Sequence, residues 1–139
     1  MTNRATNAEA VTAAELAVMA ARIARDRHAT DIVVLDLRDV SPVTDYFVIC
    51  TGTSDRQMVA VGDEIAQEAA KRGHTLYRAS GRETGQWILL DFVDVVVHVF
   101  DEAHRGYYDL ELIWGDAPRV DWHTSESNDS GGRNNGSSD

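Results

Sequence analysis

The stretch QWILLDFVDVVVHVF, residues 86 to 100, decides how the rest of the chain is interpreted. It contains two apolar runs, Trp87 to Leu90 and Val95 to Phe100, both short and rich in β-branched and aromatic residues. Such runs are typical of β-strands. Because both are almost continuously apolar, we expect each strand to lie inside a sheet with protein on both faces.

The connection between the two runs is unusual. Asp91 and Asp94 lie at its two ends. Val93 lies where a tight hairpin usually carries glycine or asparagine. The branched Cβ of valine makes a positive φ costly. Either the turn avoids that region, or a standard two-residue hairpin does not join the runs.

His98 stands alone among valines in the second run. A histidine whose hydrogen bonds are satisfied within the sheet is the interpretation we favour. A catalytic or ligand-binding role is the alternative.

Outward from this stretch, the chain predicts helices and strands in alternation. Thr12 with Glu15, and Ser54 with Gln57, have the spacing of capping boxes that open two helices. Gly73 is suited to end the second helix. The segments predicted as strands are 32–37, 46–51 and 74–78, and 79–85 is predicted to be a mobile loop.

A third helix is predicted after Asp101, with Tyr107, Leu110 and Trp114 on one face and Tyr108 beside them. The element order predicts an α/β sandwich in which helices flank a mixed β-sheet. We expect one domain at residues 12–119 after a flexible N-terminus at 1–11. From Val120 to residue 139 the chain is polar and rich in Gly, Ser and Asn, so we expect disorder.

Composition limits the classes of partner. The 139 residues carry 13 Lys and Arg against 23 Asp and Glu, a net charge of −10. That charge repels phosphate backbones, so we expect a basic protein partner and no direct nucleic-acid binding. A single cysteine, Cys50, excludes an internal disulfide and a cysteine-based zinc site. Without a membrane-length apolar run or a secretory signal pattern, we expect no membrane association and a cytoplasmic location.

No convincing catalytic set emerges. Gly52-Thr53-Ser54 is a possible phosphate-binding nest at a helix start, although helix capping is the interpretation we favour. Asp91 and Asp94, with Asp45 or Asp36, are candidates for Mg²⁺ ligands. Turn chemistry explains the first two equally well. We therefore expect no enzyme activity, no metal and no cofactor.

Three motifs resemble those of the ribosomal silencing factor family, also called Iojap. The first is DYFVICTGTSDRQ, residues 45–57, similar to that family's D-x-F-V-I-x-T-G-x-S-x-R-Q signature. The second is WILLDF followed by DVVVHVF, residues 87–92 and 94–100. The third is YDLELIW, residues 108–114, similar to Y-x-L-E-x-L-W. The resemblance covers residues 16 to 117, with Val93 in place of the usual glycine and Ser80 in place of a frequent glutamate.

The resemblance implies a nucleotidyltransferase-like fold without catalytic residues, acting as a translation repressor. Members bind the large ribosomal subunit through ribosomal protein L-fourteen and obstruct joining of the small subunit when nutrients run short. The contact residues that it implies here are Trp87, Asp91, Asp94, Tyr107, Tyr108 and Trp114.

Two alternative functions stay open. One is an active nucleotidyltransferase or nucleotide-binding enzyme that uses Gly52, Ser54, Asp91 and Asp94, and the other is a scaffold that dimerises. Dimerisation is also compatible with silencing, because an apolar contact patch can pair with itself when the partner is absent. For Trp87, a core position and an exposed contact position are both consistent with the sequence.

Overall fold

The computed structural model describes residues 11–105 and 117–123. Within these ranges, five strands form one sheet, so the predicted α/β class with a mixed sheet is confirmed. The nucleotidyltransferase-like label stays a prediction. In chain order the elements are α1 (Ala13–Asp26), β1 (Thr30–Asp36), β2 (Tyr46–Thr51), α2 (Asp55–Lys71), β3 (Arg78–Ser80), β4 (Trp87–Asp91), β5 (Val95–Phe100) and α3 (Glu102–Arg105).

The strand order is β1-β2-β5-β4-β3. Only the β2–β5 pair is parallel, whereas the three other pairs are antiparallel. A parallel pair needs a long crossover, and here the chain from β2 to β5 passes through α2, β3 and β4. The two most buried strands are therefore brought together at the centre of the sheet.

Both long helices cover the same face of the sheet. Helix α1 contacts β1, β2 and β5, while α2 contacts β4 and β5, and the two helices contact each other. Alternate strand residues point toward them and form the larger core cluster. Its fully buried members include Leu16, Ala20, Met58, Val61, Ile65, Val48, Cys50, Val95, Val97 and Val99.

The opposite face of the sheet carries a second, smaller apolar cluster. Its buried members are Val33, Leu35, Leu37, Ile49, Phe100 and Ala117. Phe47 and Trp87 are only partly buried against this cluster. The face that the long helices leave uncovered is thus the one that presents Trp87.

The predicted helix starts are both found, with one difference. The reciprocal capping box of Thr12 and Glu15 is confirmed, with hydrogen bonds of 2.9 and 3.1 Å. Ser54 accepts a hydrogen bond from the Gln57 backbone N–H at 3.1 Å. The Gln57 side chain, however, accepts from the Thr53 N–H and donates to the Arg27 carbonyl, so it ties the start of α2 to the end of α1.

The predicted strand at 74–78 and the mobile loop at 79–85 are partly wrong. The third strand is Arg78–Ser80, because these residues pair with Asp91, Leu90 and Leu89 of β4. Gly81 then turns the chain at φ 87°. A Cβ at that position would lie 1.8 Å from the Trp87 carbonyl oxygen, so only glycine fits.

The predicted start of a third helix after Asp101 is confirmed. The Asp101 carboxylate accepts a hydrogen bond from the His104 backbone N–H at 2.8 Å, as a capping residue does. The described part of this helix ends at Arg105. Its predicted continuation, with Tyr107, Tyr108, Leu110 and Trp114, lies outside the described residues.

The prediction that disorder begins at Val120 is wrong for Val120 to His123. The Val120 N–H donates to the Val34 carbonyl at 2.8 Å, so this segment runs along the outer edge of β1. Trp122 is only 6% exposed and joins the larger core cluster, where its ring also meets the Arg25 guanidinium. Little in the segment itself predicted this burial, because Trp122 is one apolar residue in a largely polar stretch. Residues 124–139 lie outside the described ranges.

Val93 adopts the conformation that its side chain disfavours. Its φ is 78°, and the Asp94 N–H donates to the Phe92 carbonyl at 3.0 Å across it. An i to i+2 hydrogen bond around such a φ defines a γ-turn of the rare, strained kind. The Asp91 carboxylate holds this turn by accepting the Val93 N–H at 2.8 Å. The turn thus does enter the positive-φ region, with valine at that position.

Replacing Val93 by glycine should therefore stabilise the protein. An L-residue in the left-handed region costs about 1–2 kcal/mol, and the greater entropy of unfolded glycine offsets part of the gain. We expect a net gain of about 1 kcal/mol in the free energy of unfolding, or several degrees in Tm. Thermal melts of Val93→Gly and the control Val93→Ala, which keeps the Cβ, test this. A lower Tm for the glycine variant than for wild type contradicts the strain.

Candidate partner-binding site

Trp87 lies at the start of β4, opposite Phe100 of β5. Its ring stacks on that phenylalanine, with centroids 5.1 Å apart and an interplanar angle of 27°. The side chain is partly buried against the smaller apolar cluster. The sequence left two interpretations of Trp87 open, a core position and an exposed contact position. Neither holds alone, because Trp87 is packed on the sheet and also accessible from outside.

His98 is the hydrogen-bond partner of Trp87. The indole Nε1–H donates to the imidazole Nδ1 at 3.1 Å. The Phe47 ring meets the imidazole edge-on at a centroid distance of 4.5 Å. His98 is 4% exposed and lies within the sheet, but the prediction that its hydrogen bonds are satisfied there holds for Nδ1 only, because Nε2 has no partner among the described residues.

The imidazole of His98 is neutral at ordinary pH. Burial disfavours the charged form and lowers the pKa of His98 to about 4, although the nearby Asp91 carboxylate acts in the opposite direction. Since Nδ1 accepts from the tryptophan, the single ring proton is on Nε2.

Asp91 lies at the other end of β4 from Trp87. The two residues share a face, but four positions of strand separate them by about 13 Å. The Asp91 carboxylate pairs with Arg78 at 3.4 Å and holds the Val93 turn. Trp87 and Asp91, two of the contact residues that the resemblance implied, therefore lie at opposite ends of one strand.

Asp94 supports the sheet through its backbone. Its carbonyl accepts hydrogen bonds from the N–H groups of Asp45 and Tyr46, at 2.9 and 3.1 Å. Its side chain is exposed, and no ion pair is found for it within the described residues. Asp94 is thus a free surface charge at the turn, far from the tryptophan.

The carboxylates proposed as metal ligands do not form a group of three within the described residues. Asp36 forms a two-point ion pair with Arg38, which lowers the pKa of that carboxyl. It lies on β1 and Asp91 on β4, so two strands separate them. Across residues 11–105 and 117–123, no group of three or more His, Cys, Asp or Glu side chains is placed to hold a metal ion.

The other candidate reactive groups have structural roles. At the start of α2, the backbone donors of Thr53 and Gln57 are taken by the Gln57 and Ser54 side chains, as capping requires. Gly52 is needed because a Cβ there would lie 2.2 Å from the Met58 Cγ. Burial raises the pKa of the Cys50 thiol to about 12, so the thiolate needed for nucleophilic attack is suppressed.

Of the six contact residues that the resemblance implied, the described ranges include Trp87, Asp91 and Asp94, whereas Tyr107, Tyr108 and Trp114 lie outside them. Sequence reasoning did not connect His98 or Phe47 to the tryptophan. The two-residue alternation within each strand indicates which side chains share a face of the sheet. It does not indicate which residues lie opposite each other on neighbouring strands, because that depends on the register.

Comparison with known proteins decides the family. Residues 10–139 match the family model described as "Ribosomal silencing factor during starvation". The chain belongs to the ribosomal silencing factor family. Ribosomal silencing factor RsfS from Bacillus subtilis is 45% identical over 103 residues, which cover 74% of this chain and 87% of the relative.

A more distant relative and a solved structure extend this result. A crystal structure of a Chromobacterium violaceum protein superposes with a TM-score of 0.72 at 32% identity, covering 76% of this chain and 88% of that one. A mouse protein named "Mitochondrial assembly of ribosomal large subunit protein 1" is 29% identical over 69% of this chain and 43% of its own length. Within the described ranges, no helix has the length and apolarity needed to cross a bilayer.

The buried imidazole predicts a pH dependence of stability. In the unfolded chain His98 binds a proton near pH 6.5, whereas in the native state it does so only near pH 4. Between these values the unfolded state binds more protons, so stability falls as pH is lowered. His98→Leu should reduce the loss between pH 7 and pH 4.5 by about 2 kcal/mol.

Urea denaturation of the two proteins at both pH values measures this difference. His28→Asn, which replaces an exposed histidine, is the matched control and should lose as much stability as wild type. An equal loss in the His98→Leu protein contradicts the buried neutral imidazole.

Proposed function

We propose that this chain represses translation by binding the large ribosomal subunit. In this account it contacts ribosomal protein L-fourteen, blocks joining of the small subunit, and damps protein synthesis in the cytoplasm when nutrients are short. Membership of the ribosomal silencing factor family supports the proposal. The name of the mouse relative, which refers to assembly of the ribosomal large subunit, favours that subunit as the target.

The observation that carries the proposal is the position of Trp87. The two long helices leave its face of the sheet uncovered, and Phe100 and His98 hold the indole ring there. A rigid, partly buried aromatic residue offers a large contact area with little entropy left to lose, which is typical of interface hot spots. We therefore propose Trp87 as the anchor of the contact.

The carboxylates are proposed to play a different part. The protein carries a net charge of −10, which attracts a basic partner over longer distances. Asp94 is exposed at the turn, about a strand's length from the anchor, so it is placed to speed encounter rather than to seal the contact. Asp91 is paired with Arg78 and acts mainly through the turn. Tyr107, Tyr108 and Trp114 complete the proposed contact set.

The proposal includes no catalytic step. Asp91 is paired with Arg78, and Gly52 and Ser54 serve the start of α2, so three of the four residues of the alternative nucleotidyltransferase have a structural use. The fourth, Asp94, has an exposed side chain at the turn. We also propose that the free protein can pair with a second copy through its apolar contact surface, since such a patch is self-complementary when the partner is absent.

Kinetics against immobilised L-fourteen protein test the contact. Trp87→Ala should weaken binding by about 2 kcal/mol or more, mainly through faster dissociation, because it removes the anchor. Asp94→Asn should slow association and reduce its dependence on salt, with little change in dissociation. Tyr77→Ala is the matched control, because Tyr77 is an aromatic residue that is 69% exposed on the β3 side of the sheet.

Thermal melts of each variant separate binding from folding. If Trp87→Ala folds and binds normally, the anchor lies elsewhere. If it unfolds, Trp87→Phe replaces it in the comparison, because phenylalanine keeps an aromatic ring on Phe100.

A further inference from the structure

We propose that His98 is a positioning residue that fixes the orientation in which Trp87 meets its partner. The inference rests on the proposed function, because it takes Trp87 as a contact residue. It goes beyond that function by assigning a task to a side chain that is buried in the sheet.

Among the contacts between described residues, two restrict the orientation of the indole. Stacking on Phe100 restricts the plane of the ring, but it does not decide which edge faces which way. The χ2 torsion of tryptophan is broad and has roughly two-fold alternatives, so a stacked indole can flip within its plane. The hydrogen bond from Nε1–H to the His98 Nδ1 at 3.1 Å selects one of these orientations.

The acceptor is itself held rigidly. The Phe47 ring packs edge-on against the imidazole, and Phe100 lies nearly parallel to it, at an interplanar angle of 7°. His98 pairs with Leu89 across the strands, and Leu89 lies two positions along β4 from the tryptophan. Because the ring is neutral and its proton is on Nε2, Nδ1 stays an acceptor across ordinary pH.

His98 lowers the stability of the native state, and packing alone does not explain its presence at this position. Its Nε2–H is buried without a partner among the described residues, and a buried unpaired donor destabilises the native state. The neighbouring positions on the same face of β5, Val96 and Phe100, are apolar and avoid this cost. A polar residue that weakens the core yet supplies the acceptor for an anchor residue fits a requirement for binding rather than for stability.

Two substitutions of His98 should have opposite effects relative to each other. The more stable of the two variants should be the one that binds more weakly. His98→Asn keeps a carbonyl oxygen near the place of Nδ1, but it is smaller and polar. His98→Leu fills the space with apolar atoms and removes the acceptor. We expect the leucine variant to melt at the higher temperature, and the asparagine variant to bind L-fourteen protein about three- to tenfold more tightly than the leucine variant.

The same pair of variants in a Trp87→Phe background isolates the hydrogen bond. Phenylalanine keeps the aromatic ring but has no N–H, so the asparagine and leucine variants should then bind equally. In the free protein, the indole ¹H–¹⁵N resonance of Trp87, assigned by its loss in Trp87→Phe, should stay close to its wild-type position in His98→Asn and move in His98→Leu.

Two results overturn the inference: affinity that follows melting temperature, or a difference between asparagine and leucine that persists without the indole N–H. An indole resonance unmoved in His98→Leu also overturns it. Failure of the proposed function gives a different result. In that case the wild-type protein does not bind L-fourteen protein at all, whatever the indole resonance shows.

Discussion

The parallel pairing of β2 with β5 is the constraint on which the rest of the structure depends. It joins the two most buried strands and requires the long crossover that contains α2, β3 and β4. Because α1 and α2 both pack on one face of this pair, the large core lies there. The opposite face is left with a smaller cluster, and Trp87 and Phe47 remain partly accessible on it.

Local patterns predicted much of this fold, because they depend on residues close in sequence. The strands within residues 86–100, the capping of α1 by Thr12 and the mixed α/β class all follow from such patterns. The position of β3 and the burial of Trp122 do not, since each depends on a distant element. Hydrogen bonds to β1 hold the segment that carries Trp122, and no pattern within that segment indicates them.

In the candidate site too, local patterns identified individual residues but did not predict how they are arranged in space. The sequence singled out Trp87 and His98 separately, and the resemblance put Trp87, Asp91 and Asp94 in one contact set. The structure joins the first two by a hydrogen bond and separates the tryptophan from the aspartates by the length of β4. Cross-strand register decides both outcomes, and here the register follows a turn in which Val93 takes a conformation that its residue type disfavours.

The most direct test of the account is sedimentation with ribosomal subunits. Purified large and small subunits are incubated with the protein, allowed to join, and separated on a sucrose gradient. We expect the protein to sediment with the large subunit alone and the joined-ribosome peak to shrink, with Trp87→Ala weakening both effects. Sedimentation with the small subunit, or an unchanged joined-ribosome peak at saturating protein, would contradict it.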